Sequence, residues 1–320
     1  GRTRVAKIVI DGEAGTTGLQ IRERLASRRD LEVISIAHDK RKDLEERKRL
    51  LNAADVAILC LPDDAARESV ALIENDTTRV IDASTAHRVA EGWAYGFAEM
   101  APDQTDEIAK ARFVANPGCW PQGLIAAARP LIEARLLPAD FPLTYHGVSG
   151  YSGGGRQMIE DYEAQGAGAS QYMPYALTFQ HKHLPEMAHY AKLGRAPLFE
   201  PVVGNFAQGM STSLPIHTDM SAEIPTGKDL HAALSDYYAA IPDSFVQVAP
   251  YDPSLGKTAA LDPQAHNGTN TLTLHVFAND ALNQATICAV YDNLGKGASG
   301  AAVQNLNIML GVGARESLAA

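Results

Sequence analysis

A compact run of β-branched residues, Val5 to Asp11, passes straight into the glycine-rich turn Gly12 to Gly18 and then into helix formers from Thr17 to Arg28. A strand that turns on glycines into a helix opens a crossover unit, and such a unit commits the next strand of the sheet to lie parallel. A second strand follows at Leu31 to Ala37. Asp55-Val56-Ala57-Ile58-Leu59-Cys60-Leu61 reads as a third, apolar on both faces as a central parallel strand must be. The basic and acidic stretch from Lys40 to Arg49 reads as a solvated loop and helix. Pro62-Asp63-Asp64 caps a further helix through about Glu74, and Arg79 to Ser84 and Arg112 to Ala115 add two strands. The alternation predicts an α/β fold, a doubly wound Rossmann-type domain.

After Trp120 the pattern changes. Phe141 to Ser149 reads as a strand entering the loop Gly150 to Arg156, and alternating segments return near Pro201 to Val203, Thr212 to Ile216 and Thr271 to Phe277, with a helix around Gly227 to Ala240. These predict an α+β domain with a mixed, largely antiparallel sheet and helices on one face. The stretch from Asp292 to Gly311 reads as a loop and a helix that return to the first domain. The expected division is 1–117 with 296–320 for one domain and 118–295 for the other.

A net charge of −10 over 320 residues argues against a nucleic-acid binder, which would carry a basic face. Cys60, Cys119 and Cys288 are odd in number and lack metal-like spacing, so neither a disulfide framework nor a metal site is expected. Gly1-Arg2-Thr3-Arg4 runs directly into the first strand. No apolar run reaches the roughly 18 residues of a membrane span, and the expectation is a cytoplasmic protein with no signal peptide and no membrane partner.

Three segments carry chemistry. Gly12, Gly15 and Gly18, placed between a strand and a helix, let a backbone approach a pyrophosphate at the helix N-terminus, with Thr16 and Thr17 between them. Past the second strand, His38-Asp39-Lys40-Arg41-Lys42 places three basic residues against one acidic one, which favours NADP over NAD, with Arg41 toward the 2′-phosphate. In Asn116-Pro117-Gly118-Cys119-Trp120-Pro121 the cysteine sits where a short strand, Ala111 to Ala115, turns into a helix from Gln122 to Arg135. Just before a first helical turn, unpaired amides and the helix dipole favour a thiolate. An inert buried cysteine fits the same pattern.

Gly153-Gly154-Gly155-Arg156 lacks the ending of a nucleotide-triphosphate loop and reads as a flexible active-site loop. In His181-Lys182-His183-Leu184-Pro185-Glu186 an extended chain would point both rings the same way. Zinc lacks a third ligand there, which leaves a surface pair or a base partnered with a nucleophile.

Together, Gly12-x-x-Gly15-x-x-Gly18, the Asn116 to Pro121 run, Gly147-Val148-Ser149-Gly150, His181 to Glu186 and Asp292 to Asn305 closely resemble the N-acetyl-γ-glutamyl-phosphate reductases of arginine biosynthesis, in their shorter form. The cysteine motif and glycine loop are shared with aspartate-semialdehyde dehydrogenases, whereas the His-x-His-x-Pro-Glu run and Gln304-Asn305 are more specific. Trp120 stands where the family often has Tyr. The resemblance implies an NADPH-dependent reductase of an acyl phosphate, with Cys119 as nucleophile and His181 as acid and base. It implies His183, Ser149, Arg88 and Asn116 for substrate, and Pro62, Ser84, Asn293 and Lys296 beside the glycine loop and Arg41 for cofactor. A homodimer or homotetramer is implied as well. A non-catalytic nucleotide-binding sensor and an aspartate-semialdehyde dehydrogenase-like reductase remain the other readings.

Overall fold

The computed structural model describes residues 4–12, 15–258 and 261–320, so Gly1 to Thr3, Glu13 and Ala14 of the glycine turn, and Ala259 and Ala260 lie outside the described residues. The chain divides into two units: one from the N-terminus to Ala98 with Asp103–Gly118 and Ala298–Ala319, the other Glu99–Pro102 with Cys119–Gly297.

In the first unit β1 (Ala6–Asp11), α1 (Thr16–Leu25), β2 (Leu31–Ser35), α2 (Leu44–Ala53), β3 (Val56–Leu59), α3 (Asp63–Leu72), β4 (Arg79–Asp82), β5 (Ala94–Tyr95), α4 (Gln104–Lys110) and β6 (Phe113–Ala115) follow in order. The strands form one sheet in the order β2-β1-β3-β4-β6-β5, with every pairing parallel. Successive side chains of a strand face opposite ways, and the two apolar layers follow from that. Ile8 and Ile10 pack with Ile21 and Leu25 of α1, while Val9 packs on the other face with Leu50, Leu51 and Ala66 of α2 and α3. Sequence order reverses at β1, where the chain goes first to β2 and then to β3 on the opposite side. Ligands of such sheets bind at the carboxyl ends beside that point.

The second unit holds α5 (Cys119–Glu133), β7 (Thr144–Gly150), α6 (Arg156–Gln165), β8 (Tyr172–Pro174), α7 (Leu184–Tyr190), β9 (Leu198–Gly204), β10 (Met210–His217), α8 (Gly227–Ala239), β11 (Val246–Val248), β12 (Leu272–Asn279) and β13 (Gln284–Tyr291). Its sheet runs β11-β12-β13-β10-β7-β9-β8, antiparallel except for the β11–β12 and β7–β9 pairs. Helices α5 and α8 pack against β12 of this sheet, and α5 also meets β10 and β13. A capping box between Thr226 and Asp229 starts α8. The last helix, α9 (Gly300–Leu310), belongs to the first unit, where its Val303 and Leu306 complete the apolar layer beside α1.

Four local expectations change. The Lys40 to Arg49 stretch is not solvated throughout: Arg47 is buried, with its guanidinium on Asp11, Glu68 and Ser69. Helix α3 starts within the expected Pro62-Asp63-Asp64 run, but its N-cap Pro62 brings no side-chain cap, and Asp63 accepts the Thr85 amide at 2.9 Å. The glycine run after β7 begins as the 3-10 turn Tyr151–Gly154 rather than an open loop. The fourth concerns Cys119, which is the first residue of α5 rather than the residue before it.

Candidate active site

In the second unit candidate side chains gather over the inner face of the sheet, around the start of α5. Cys119 is half-buried. The other two thiols are driven away from reactivity: burial pushes Cys60 up to about 12, with Asp82 and Asp11 adding to it, and burial raises Cys288 too. A Cβ on Gly297 would stand 3.0 Å from the Cys119 Cβ, so that glycine leaves the room Cys119 occupies.

Trp120 ties this helix start to the histidines. Its indole N–H donates to the Tyr175 hydroxyl at 3.0 Å, its ring packs edge-on against Phe199 at 5.3 Å, and His181 meets Phe199 at 5.0 Å and Tyr175 at 5.9 Å. Burial raises the Tyr175 phenol, and negative charge at Cys119 acts in the same direction, so Tyr175 stands in the field of that thiol. The segment His181 to His183 is a turn rather than extended, with His183 in helical backbone geometry. The two rings nonetheless lie 4.6 Å apart, because the His183 amide donates to His181 Nδ1 at 3.0 Å and closes the turn. His181 therefore carries its proton on Nε2. Burial, with Lys182 as a lesser cause, lowers it from the ordinary imidazole value to about 4.

Ser149 is buried at the end of β7. Asn293 is 1 % exposed and holds main chain and neighbour: its Oδ1 accepts the Gly209 amide at 2.7 Å and its Nδ2 donates to Ser152 at 3.1 Å. Lys296 departs furthest from expectation. Its ammonium donates to both Glu99 oxygens, at 2.9 and 2.8 Å, with both side chains 1 % exposed. In this structure it is an ion-pair partner inside the unit's core. Burial pulls its pKa down and Glu99 holds it up.

In the first unit the remaining candidates line the carboxyl ends of the parallel strands. Gly12, at φ +87°, takes a conformation that favours glycine, and a Cβ there would stand 2.3 Å from the Cys60 carbonyl oxygen. Gly15 is the N-cap of α1 and gives it no side-chain cap, which leaves the helix N-terminus to a ligand's phosphate, with Thr16 and Thr17 half-buried in the first turn and Gly18 buried behind them. Arg41 is exposed past the end of β2, and Pro62 follows β3. These residues fit a dinucleotide. Ser84 lies past β4, but its amide and hydroxyl both donate to Asp82 at 2.9 Å in a local turn.

Arg88 and Asn116, expected on substrate phosphate, are tied to their own unit. Arg88 donates to the Asn116 carbonyl at 2.9 Å and the Ala83 carbonyl at 3.1 Å. Asn116 Nδ2 donates to the Ala298 carbonyl and its Oδ1 accepts from Asn305, both at 3.0 Å. Both residues thus hold the turn that leads into the cysteine. Sequence reasoning missed Tyr145, Tyr175 and Tyr291, whose only signal is their place on inward-facing strand positions or in a loop.

No group of three His, Cys, Asp or Glu side chains among the described residues is arranged to hold a metal, and no helix among them is long and apolar enough to cross a membrane.

Comparison with known proteins matches residues 7–108 to the semialdehyde dehydrogenase NAD binding domain and residues 119–293 to the semialdehyde dehydrogenase dimerisation domain. An N-acetyl-gamma-glutamyl-phosphate reductase of Chelativorans sp. is 63% identical over 305 residues, covering 95% of this chain and 98% of the relative. One from Nostoc sp., named N-acetyl-gamma-glutamyl-phosphate reductase 2, is 53% identical over 314 residues, covering 96% and 97%. Among solved structures, aspartate semialdehyde dehydrogenase from Francisella tularensis superposes with a TM-score of 0.72 at 14% identity, over 96% of this chain and 100% of that one. At that identity the likeness speaks for the fold.

Proposed function

The chain belongs to the N-acetyl-γ-glutamyl-phosphate reductases of the semialdehyde dehydrogenase family, and from that premise we infer that it reduces N-acetyl-γ-glutamyl phosphate to N-acetylglutamate 5-semialdehyde, releasing phosphate, in arginine biosynthesis. The observation that carries the reading is the half-buried Cys119 at the first position of α5, joined through Trp120, Tyr175 and Phe199 to a neutral His181.

The Cys119 thiolate attacks the acyl carbon. A carbon–sulfur bond forms, the carbon–oxygen bond to phosphate breaks, and a thioester is left on the enzyme. NADPH, when bound, supplies the hydride. Gly12, Gly15, Thr16, Thr17, Gly18, Arg41 and Pro62 hold that cofactor, and Ser84 shapes the turn beside it. Amides at the start of α5 take up negative charge on the acyl oxygen, as an oxyanion hole does. His181 donates a hydrogen bond from Nε2–H to the same oxygen and steadies its negative charge until the carbonyl re-forms, the carbon–sulfur bond breaks, Cys119 leaves as thiolate and the aldehyde departs. His183 and Ser149 bind the acyl chain. Arg88 and Asn116 act one step removed, by fixing the turn before Cys119. The enzyme works in the cytoplasm as a homodimer or homotetramer of its own copies.

The reverse reaction tests this: aldehyde, phosphate and NADP, run with N-acetylglutamate semialdehyde and with aspartate semialdehyde. Turnover of the first alone is expected, and turnover of the second alone would overturn the substrate. Cys119→Ser should abolish turnover while NADPH titration by fluorescence stays near wild type, since a serine hydroxyl lacks the acidity of a thiol. A variant that keeps a tenth of the activity would sink the covalent route.

A further inference from the structure

Two tyrosine hydroxyls stand inside the first turn of α5. Tyr291 of β13 accepts the Gly123 amide at 3.1 Å and donates to the Cys119 carbonyl at 2.6 Å. Tyr145 of β7 donates to the Trp120 carbonyl at 2.8 Å and accepts from the Leu124 amide. In an unmodified helix the amides of residues 123 and 124 bond those two carbonyls directly. Here a phenol also bonds both groups of each of these two rungs.

Thr212 of β10, 2 % exposed, hydrogen-bonds to the Tyr145 hydroxyl, so three adjacent strands aim hydroxyls at one point. A Cβ on Gly123 would stand 2.5 Å from Tyr145 Oη and 2.8 Å from both Thr212 Oγ1 and Tyr291 Oη. The glycine makes room for the wedge. Burial raises both phenols, with negative charge at Cys119 acting in the same direction, so both remain donors at neutral pH.

We propose that Tyr291 and Tyr145 are positioning residues for Cys119, fixing the first two peptide planes of α5 and thereby the amides and the thiol that meet the substrate. A peptide is planar and trans, so holding the Cys119 carbonyl holds the Trp120 amide pointing the opposite way, toward the open end of the helix. Pro121 brings no amide to that end, which makes the orientation of the Trp120 amide count for more. A phenol donating to the Cys119 carbonyl also polarises the same peptide along the helix dipole, strengthening its N–H toward a thiolate or an oxyanion. Inserted side chains of this kind are a known cause of local distortion in the helical ladder.

The proposal rests on Cys119 being the nucleophile, and one experiment separates the two. The rate of Cys119 alkylation by iodoacetamide is followed by mass spectrometry from acid to alkaline pH, with Cys60 and Cys288, whose thiols burial holds protonated, as folding controls. If wild-type Cys119 is no more reactive than Cys60, the nucleophile reading fails. If it is, Tyr291→Phe should slow its alkylation at neutral pH by roughly 5- to 30-fold, the size of a helix-terminus effect, and move the midpoint of the profile upward, with NADPH binding unchanged. A profile superimposable on wild type overturns the positioning role whatever happens to turnover. Should Tyr291→Phe expose the two control thiols, Tyr145→Phe, which takes the hydroxyl from the next rung and keeps its ring, carries the same test.

Discussion

At His181 one backbone hydrogen bond decides which ring nitrogen faces outward. The His183 amide occupies Nδ1, and burial disfavours the cation, so the ring stays neutral down to about pH 4. The sign follows: an unfolded histidine takes its proton near 6.5, so acid favours the unfolded chain between those two values and stability falls as pH drops through that window. We expect an NMR titration of the His181 ring in the free enzyme to show no midpoint between about 6 and 7, and His181→Asn to slow turnover roughly 10²- to 10⁴-fold. A midpoint near 6.5 would sink this account of the ring. Cys119 and His181 stand out in the sequence because chemistry restricts residue types. Tyr145, Tyr175 and Tyr291 do not, because an inward tyrosine on a strand looks like core until the helix above it is placed. Arg88 and Lys296 show the other limit: a long cation in a motif reads as an anion site, whereas its partners in the structure are carbonyls for Arg88 and the Glu99 carboxylate for Lys296.

Among the elements, those set by apolar periodicity or glycine turns stand close to where the sequence puts them: β1, β3, α8 and β10 shift by a few residues at most. Short ones escaped. Strand β5 has two residues, and α4 has seven, too few for a period to register. The short segment Glu99–Pro102, between them in sequence, belongs to the second unit, where Glu99 meets Lys296 and the Phe245 amide at 3.2 Å. No local pattern announces a pairing that spans so much of the chain. Removing one partner of a buried ion pair leaves the other uncompensated, at about 3–5 kcal/mol. Lys296→Met should therefore lower the urea midpoint sharply while the KM for NADPH holds. A raised KM with unchanged stability would restore Lys296 to the cofactor.

At the scale of the whole molecule the second sheet has a covered inner face and an outer face that asks for a partner. Register places His275, Cys288, Ser213, His146 and Glu200 in one row across five strands, with Phe277, Thr286 and Pro215 in the row beside it. These positions are half-buried or exposed in the single chain, and part of this face lines a hollow of about 550 Å³. In a chain of net charge −10, only Glu200 in these two rows is an acid and none is Lys or Arg. Faces depleted of charge at their centre are the kind that meet another protein surface. The matched dimerisation domain spans this sheet, which supports a second copy as the partner of our proposed homodimer. In a two-fold contact a residue near the middle of the face lies close to its own copy. Ser213→Asp would then bring two carboxylates toward each other, and like charges across an interface weaken it strongly. Light scattering should show the mass falling toward 34.2 kDa, at concentrations where the wild type is a multiple of it. An unchanged mass for Ser213→Asp would move the contact to another face.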